Sequence, residues 1–377
     1  MSSGPTVSVI IPTYNRADLL PGCLENVLGQ SYPHLEVLVV DDGSTDNTRE
    51  VIQPYLDRVR YFETENGGPA HARNIAMRAA TGEYLAFLDS DDFYLPGKLA
   101  LQVAFMEAFP DVGLVSTEVS AFDSTGVLEE NHLKTYHSIY RTHRLSYEDV
   151  YGVRGEFVWP GREQPIPYYV GNIFRYTLMS TVIMVNTVLF RREVIDKVGL
   201  QNEGFRYLQC YEWSMRVCKH FKVGFLDVPT YLIRYHEGQH SMCRGGGWGK
   251  AKSDAQWRKQ RLTEVEISRN VLSAVMEWGC GDPEFYADNQ EWLDPRVAEI
   301  FFHMGSGWLD LGEKKKARES FRKGAAYDHA WGFNRRWFLW SILPLRMHPV
   351  AKWAERRWQR LRRRGMKGQA VQVGEGA

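Results

Sequence analysis

Cysteine is scarce in this 377-residue chain. The five present, Cys23, Cys210, Cys218, Cys243 and Cys280, are widely spread and form no CxxC pair. That pattern argues against a disulfide framework and against a cysteine zinc site, and it suits a reducing compartment. Long apolar runs are also missing: the longest, around 178–190 and 337–345, fall short of the ~20 residues a membrane span requires. Met1-Ser2-Ser3-Gly4-Pro5 has neither a charged n-region nor an apolar stretch, so no signal peptide is expected. No charge of one sign dominates, with Lys plus Arg and Asp plus Glu at 46 each, and the electrostatic footprint of a nucleic-acid partner is therefore lacking. No GxGxxG follows the first apolar run, where Pro12-Thr13-Tyr14-Asn15 stands, and Gly249-Lys250-Ala251 has the wrong spacing for a phosphate loop. A dinucleotide enzyme and a P-loop nucleotidyltransferase are thereby disfavoured.

What is present reads as a packed globular protein, 44% hydrophobic and 24% charged, long enough for one full domain and a smaller module. Val7–Ile11 and Leu35–Val40 are β-branched runs, ended by Pro12 and by Asp41-Asp42-Gly43-Ser44. Between them Leu19, Leu20, Cys23, Leu24, Val27 and Leu28 recur at helical spacing, giving a β-α-β unit. The alternation continues with a helix over 48–56, a strand over 59–63, a helix over 70–80 and the strand Tyr84–Leu88, which ends in Asp89-Ser90-Asp91-Asp92. Such alternation predicts an open α/β sheet whose ligands bind at the carboxyl ends of its strands. A helix over 96–109 and a strand over 113–118 follow. Residues 123–171, rich in Tyr and Pro, read as a loop-rich insertion, and a loop of that length is expected to bind something, here an acceptor. Further on, strands are expected over 187–190, 223–226 and 230–235, with helices over 192–198 and 212–220. The glycines at 245, 246, 247 and 249 predict a mobile linker over 244–253, and from 254 the chain reads as helices only.

Four polar clusters then fall at one sheet edge. Asp89-Ser90-Asp91 puts carboxylates on alternate residues of a strand tip, where they can share a divalent cation that neutralises a diphosphate; a solvated turn is the plain alternative. Asp42 can accept hydrogen bonds from a uracil ring or a ribose, or belong to an ordinary Asp-Gly turn. Pro12, Thr13, Tyr14, Asn15 and Arg16 offer backbone groups, an aromatic ring for base stacking and an amide, or form a simple connection. Arg73, in Ala72-Arg73-Asn74 behind Gly67-Gly68, can reach a base or phosphate, or be a solvated helix arginine.

These four clusters, in this order over 7–96, resemble family 2 glycosyltransferases, and a weaker resemblance extends to about residue 243. The resemblance implies a GT-A fold over 1–243, with a nucleotide-binding half of about 5–118 and an acceptor half of about 119–243. It implies that Thr13, Tyr14, Asp42 and Arg73 surround a uridine, that Asp89 and Ser90 lie near the ribose and diphosphate, and that Asp91 binds Mn2+ or Mg2+. It further implies displacement with inversion from a nucleotide-sugar donor to a glycan or lipid-linked acceptor, as in cell-surface polysaccharide synthesis. A carboxylate then serves as base for the acceptor hydroxyl.

At the base the sequence departs from the pattern. Aligning Tyr211–Arg216 puts Gln209-Cys210 where a Glu-Asp pair is usual, and Cys210 is a poor base for a sugar hydroxyl. Glu212 is the substitute candidate, or else a helix N-terminal acid complementing the macrodipole. A nucleotide-sugar-binding protein with degraded catalysis is the rival reading. Tyr231–Met242 resembles the segment that closes the donor site, where His236 or His240 could complete the metal's coordination; a surface histidine is the plain alternative.

The C-terminal region 254–367 contains one tetratricopeptide-like hairpin, expected to dock on the catalytic domain. Beyond it Val350, Trp353, Ala354, Trp358 and Leu361 share one face of a helix rich in arginine. This helix either lies on anionic lipid, placing a cytoplasmic protein at the inner face of a membrane, or docks its aromatic face on the protein. The tail 368–377 is expected to be disordered.

Overall fold

A computed structural model describes residues 4–236 and 253–328. Expectations for His240, Cys243, the glycine-rich stretch, the basic helix and the tail lie outside the described residues. The chain divides into two compact units, Met1–Lys250 and Ala251–Ala377.

The first unit opens with β1 (Val7–Thr13), α1 (Leu20–Leu28), β2 (Leu35–Asp41), α2 (Thr48–Val51), β3 (Arg60–Glu63), α3 (Pro69–Ala79) and β4 (Tyr84–Phe87). Then come β5 (Phe93–Tyr94), α4 (Lys98–Ala108), β6 (Val112–Asp123), β7 (Gly126–Glu129), α5 (Leu133–Tyr136), α6 (Ser138–Arg141) and α7 (Tyr147–Tyr151). It closes with β8 (Val153–Phe157), β9 (Ile166–Gly171), α8 (Phe174–Met179), β10 (Leu189–Arg191), α9 (Glu193–Val198), α10 (Gln209–His220) and β11 (Lys222–Arg234).

All eleven strands join one mixed sheet, ordered β3-β2-β1-β4-β10-β6-β11-β9-β8, with β5 on β11 and β7 on β6. β1 pairs parallel with both β2 and β4, Ile10 facing Leu38 and Phe87. Val7, Val9, Ile10 and Ile11 are fully buried, as a parallel strand covered by helices on both faces requires. Each such side chain contributes ~1.5–3 kcal/mol of burial. α1 buries Leu20, Cys23, Leu24 and Val27. α3 starts from Gly68, whose φ of 88° only glycine adopts readily, with Pro69 in its first turn. Phe87, Phe190 and Trp213 meet at ring-centroid distances of 5.0–5.9 Å, joining β4, β10 and α10 in one core.

The structure revises several boundaries. The helix over 48–56 is cut to α2 and a 3-10 turn over Gln53–Tyr55, because Pro54 has no N–H to continue it. The two strands expected over 223–226 and 230–235 are one long β11, irregular around Pro229, which cannot donate to the ladder. The insertion at 123–171 is not a long loop but a series of short elements, β7 to β9. Its helices of four or five residues are too short to leave a period in the sequence. They hold by tertiary anchors: Tyr147 donates to the buried Glu118 and packs on Phe225 at 4.3 Å.

In the second unit α11 (Asp254–Val275), α12 (Pro283–Asp310) and α13 (Lys314–Gly324) pack together. α12 begins at Pro283, after Asp282, which caps Phe285 N, and runs on through Pro295, where the sequence predicts a helix start. Phe302, Leu309, Ala317 and Phe321 form its core. A Cβ on Gly305 would sit 2.4 Å from the Phe321 ring, so glycine there sets the close approach of α12 and α13. Among the described residues no helix is long and apolar enough to cross a membrane.

Candidate active site

The carboxyl ends of β1, β2 and β4 lie side by side because the three strands are parallel and in register, and each ends in a polar group. After β4, the carboxylates of Asp89, Asp91 and Asp92 come within 4.8 Å of one another. Such crowding is costly unless cations offset it. Arg73 Nη2 donates to Asp89 Oδ1 at 2.7 Å and Asn186 Nδ2 to Asp89 Oδ2 at 2.5 Å. Asp91 Oδ2 faces His236 Nε2 at 3.0 Å and Arg16 Nε at 3.6 Å. Asp92 is turned inward, accepting from Tyr231 Oη at 2.6 Å and Arg234 N at 2.7 Å. Burial, reinforced by Asp91 and Asp89, pushes the Asp92 carboxyl well up. Asp92 therefore braces β11, while the side chains of Asp91 and Asp89, 17% and 33% exposed, stay partly open.

The donor set fits a hard divalent cation, with Asp91 and Asp89 supplying oxygens and His236 a nitrogen beside them. Thr13 Oγ1, Arg73 Nε and Asn186 Oδ1 are buried polar atoms without a hydrogen-bond partner among the described residues. They come from the end of β1, from α3 and from the turn before β10, and buried orphans of this kind are rare.

The neighbouring loop divides into exposed and scaffolding groups. Pro12 and Thr13 end β1, and Tyr14 is 38% exposed, with its ring free for stacking. Asn15 has a left-handed backbone, φ 51°, and its Oδ1 accepts from Thr45 N at 2.7 Å while its N–H donates to Ser44 Oγ. Its amide is thus spent on pinning the loop after β2. Asp42 is buried; its carboxylate accepts from Gly67 N at 2.9 Å and Gly68 N at 2.8 Å. Desolvation raises its pKa and these two N–H groups pull it back in part. Ser90 is buried within the β4 turn.

Residues 8–199 match the family model described as Glycosyl transferase family 2. The chain belongs to that family. A putative teichuronic acid biosynthesis glycosyltransferase, TuaG of Bacillus subtilis, is 50% identical over 107 residues, 27% of this chain and 42% of that protein. An uncharacterised glycosyltransferase of Rickettsia typhi is 28% identical over 235 residues, covering 62% of this chain and 65% of the relative. The chain spans 15% to 65% of the length of the curated relatives named first by similarity, less than two thirds of each. Among solved structures, S. aureus TarS 1–349 in complex with UDP-GlcNAc has a TM-score of 0.55 at 19% identity, covering 85% of this chain and 81% of that one. The mannosyltransferase PcManGT of Pyrobaculum calidifontis, in complex with GDP-Man and Mn2+, has a TM-score of 0.50 at 19% identity, covering 90% and 85%. At such identity the likeness establishes the fold, a GT-A mixed sheet flanked by helices.

In this family 2 chain the start of α10 does not follow the expectation for a base. Cys210 Sγ accepts from Arg73 Nη1 at 3.1 Å, so it does lie beside the acidic cluster. Burial pushes its thiol up, and Arg73 offsets this only in part. Glu212 stands two residues on, roughly 200° around a helix of ~3.6 residues per turn, and points elsewhere. Its carboxylate accepts from Arg216 Nε at 2.7 Å and Nη2 at 3.0 Å, 3% exposed, and Arg216 also donates to Val198 O and to Leu200 O at 2.7 Å. The expected substitute base is thus engaged in a buried pair that fastens α10 to the end of α9.

Sequence reasoning missed Asn186, Tyr231, Arg234 and Asp92. Asn186 carries no local signal: it sits in a 3-10 turn, Val185–Thr187, ahead of β10. Lys98 and Gln102, both fully buried, hold Thr187 O at 2.9 and 2.8 Å and so fix that turn beneath Asp89. Burial drives the Lys98 ammonium well down.

Proposed function

We propose that the chain transfers a sugar, with inversion, from a nucleotide-sugar donor, a UDP-sugar first of all, to a hydroxyl of a glycan or lipid-linked acceptor in cell-surface polysaccharide synthesis. The observation that carries this reading is the gathering of Asp89, Asp91, Arg16, Arg73 and His236 at the end of a parallel strand in a family 2 chain. TarS and PcManGT, whose structures hold UDP-GlcNAc and GDP-Man, support a donor of that class, and the putative teichuronic acid biosynthesis glycosyltransferase TuaG supports the setting.

In this reading Tyr14 stacks on the base, while Thr13 and Asp42 meet its polar edge. Arg73 and Asn186 hold Asp89 toward the ribose and diphosphate, and Arg16 adds positive charge at the diphosphate. Mn2+ or Mg2+ on Asp91, with Asp89 and His236 beside it, supplies charge neutralisation of the leaving diphosphate. The test is isothermal titration with UDP and with GDP, each with and without Mn2+, on the wild type and Asp91→Ala. Metal-dependent UDP binding that disappears in the variant is expected; no nucleotide binding under any condition would sink the reading.

One observation favours a second reading, a nucleotide-sugar-binding protein with degraded catalysis: Cys210 holds the usual base position and Glu212 is locked to Arg216. Cys210→Asp separates the two. Turnover of a UDP-sugar that appears only in the variant marks the wild type as degraded, whereas turnover already present in the wild type rejects that reading.

A further inference from the structure

Residues 131–146 contain Lys134, Arg141 and Arg144, three histidines, and no Asp or Glu. The fold wraps this stretch into α5, α6 and the turn before α7, leaving an open cleft of about 350 Å³ lined by Lys134, Tyr140, Arg144, Leu145, Ser146 and Tyr147. Its floor is aromatic: the rings of Tyr140 and Tyr147 stand edge to face, 4.9 Å between centroids, and both residues are buried. Lys134 Nζ lies 4.8 Å from the centre of the Tyr147 ring. Arg144 is exposed and has a left-handed backbone, φ 59°, a conformation that costs a non-glycine residue energy and gathers at sites with a task.

Neither Lys134 nor Arg144 makes a salt bridge among the described residues. The acids nearby are engaged or covered. Asp149 accepts from Ser146 N and Ser146 Oγ, both at 2.7 Å. Glu118 lies beneath Tyr147 and accepts a hydrogen bond from its hydroxyl; Asp227, half-buried, and Glu118 are both held up by desolvation, which the charge of Lys134 offsets in part. Two cations outside any salt bridge among the described residues, a hydroxyl and an aromatic floor around an open cleft are the chemistry that recognises a sugar bearing an anionic group, and the nearest charges to Lys134, Glu118 and Asp227, are buried or half-buried beneath it.

The cleft is also tied to the acidic cluster. His132, at the start of α5, meets Tyr235 Oη through Nε2 at 2.8 Å, and the next residue, His236, meets Asp91 at 3.0 Å.

We propose that this cleft binds the carboxylate or phosphate of an acidic acceptor saccharide. The word acceptor rests on the transferase reading above; the binding itself does not. The test titrates the full-length chain with a glucuronate-containing tetrasaccharide, a glycerol phosphate oligomer and neutral maltotetraose, on the wild type and on the double variant Lys134→Gln, Arg144→Gln. At least one acidic probe is expected to bind more tightly than maltotetraose, with the carboxylate and phosphate arms telling which group is taken. Affinity should fall about tenfold or more in the double variant and weaken as salt screens the pair. The melting temperature and the UDP titration should be unchanged in that variant. Equal binding of maltotetraose, no binding of either acidic probe, or unaltered affinity in the double variant would each overturn the proposal. Loss of UDP binding in the wild type would remove the transferase reading and leave the cleft to stand or fall on the saccharide titration.

Discussion

From Val7 to Asp92 the polar groups of the site, Arg73 on α3 apart, come from the carboxyl ends of three parallel strands, whereas from Asn186 to His236 they come from a turn, a helix start and the tail of an irregular strand. The first arrangement follows from β-α-β repetition alone, since each crossover returns the chain so that every strand ends on the same edge. The second follows from β10 entering antiparallel between β4 and β6, so that it brings its beginning, and Asn186, to the edge where its neighbour β4 ends. In the first region Tyr14, Asp89 and Asp91 stay partly exposed at the edge. In the second, Asn186 holds Asp89, Tyr231 and Arg234 hold Asp92, and His236 faces Asp91.

Substitutions can break that contrast, and the largest effect is expected in the second region. Glu212→Gln leaves Arg216 charged and buried without its carboxylate, so a stability loss of ~3–5 kcal/mol is expected in denaturant unfolding. A variant with unchanged stability and a selective loss of turnover would instead restore Glu212 as the base. Next in size is a pH effect. Glu118 has a pKa of about 7 because burial outweighs its two backbone N–H partners. The native state therefore holds its proton more tightly than the unfolded chain, where the ordinary value is 4.5. The stability this confers is full below pH 4.5 and lost as pH rises through 7, roughly 3 kcal/mol in all. Glu118→Gln should flatten that part of the stability profile measured by urea titration.

How much of this was legible differs between the two regions for the same reason. Thr13, Asp42, Asp89 and Asp91 each lie at the end of an apolar run that announces a strand, so their position at the sheet edge was readable from the sequence. Asn186 follows no periodic segment and Cys210 opens a helix whose register with Arg73 only the fold supplies. Short α5, α6 and α7 left no helical period, and the turn-rich composition of 123–171 read as loop. Glu212 was misplaced because proximity in sequence to Cys210 says nothing of the opposite helix face.

Two smaller effects sharpen the contrast within the site. Asp91→Ala should cut nucleotide-sugar turnover about 100-fold or more, several kcal/mol of transition-state stabilisation being removed with the cation. Its fold should persist, since the Asp91 side chain is partly exposed and bonds to Arg16 and His236 and not to the core. Asn186→Ala deletes one charge-assisted hydrogen bond to Asp89, and about a tenfold loss of UDP affinity is expected by titration. Equal losses in the two variants would mean that holding and presenting are not separable here.

The most direct test is a crystal structure of the chain soaked with UDP and Mn2+, with the metal located by its anomalous signal. A peak within coordination distance of Asp91, with the diphosphate beside it and the base near Tyr14 and Asp42, is the expected result. A metal or a nucleotide bound away from the edge formed by β1, β2 and β4 would contradict it.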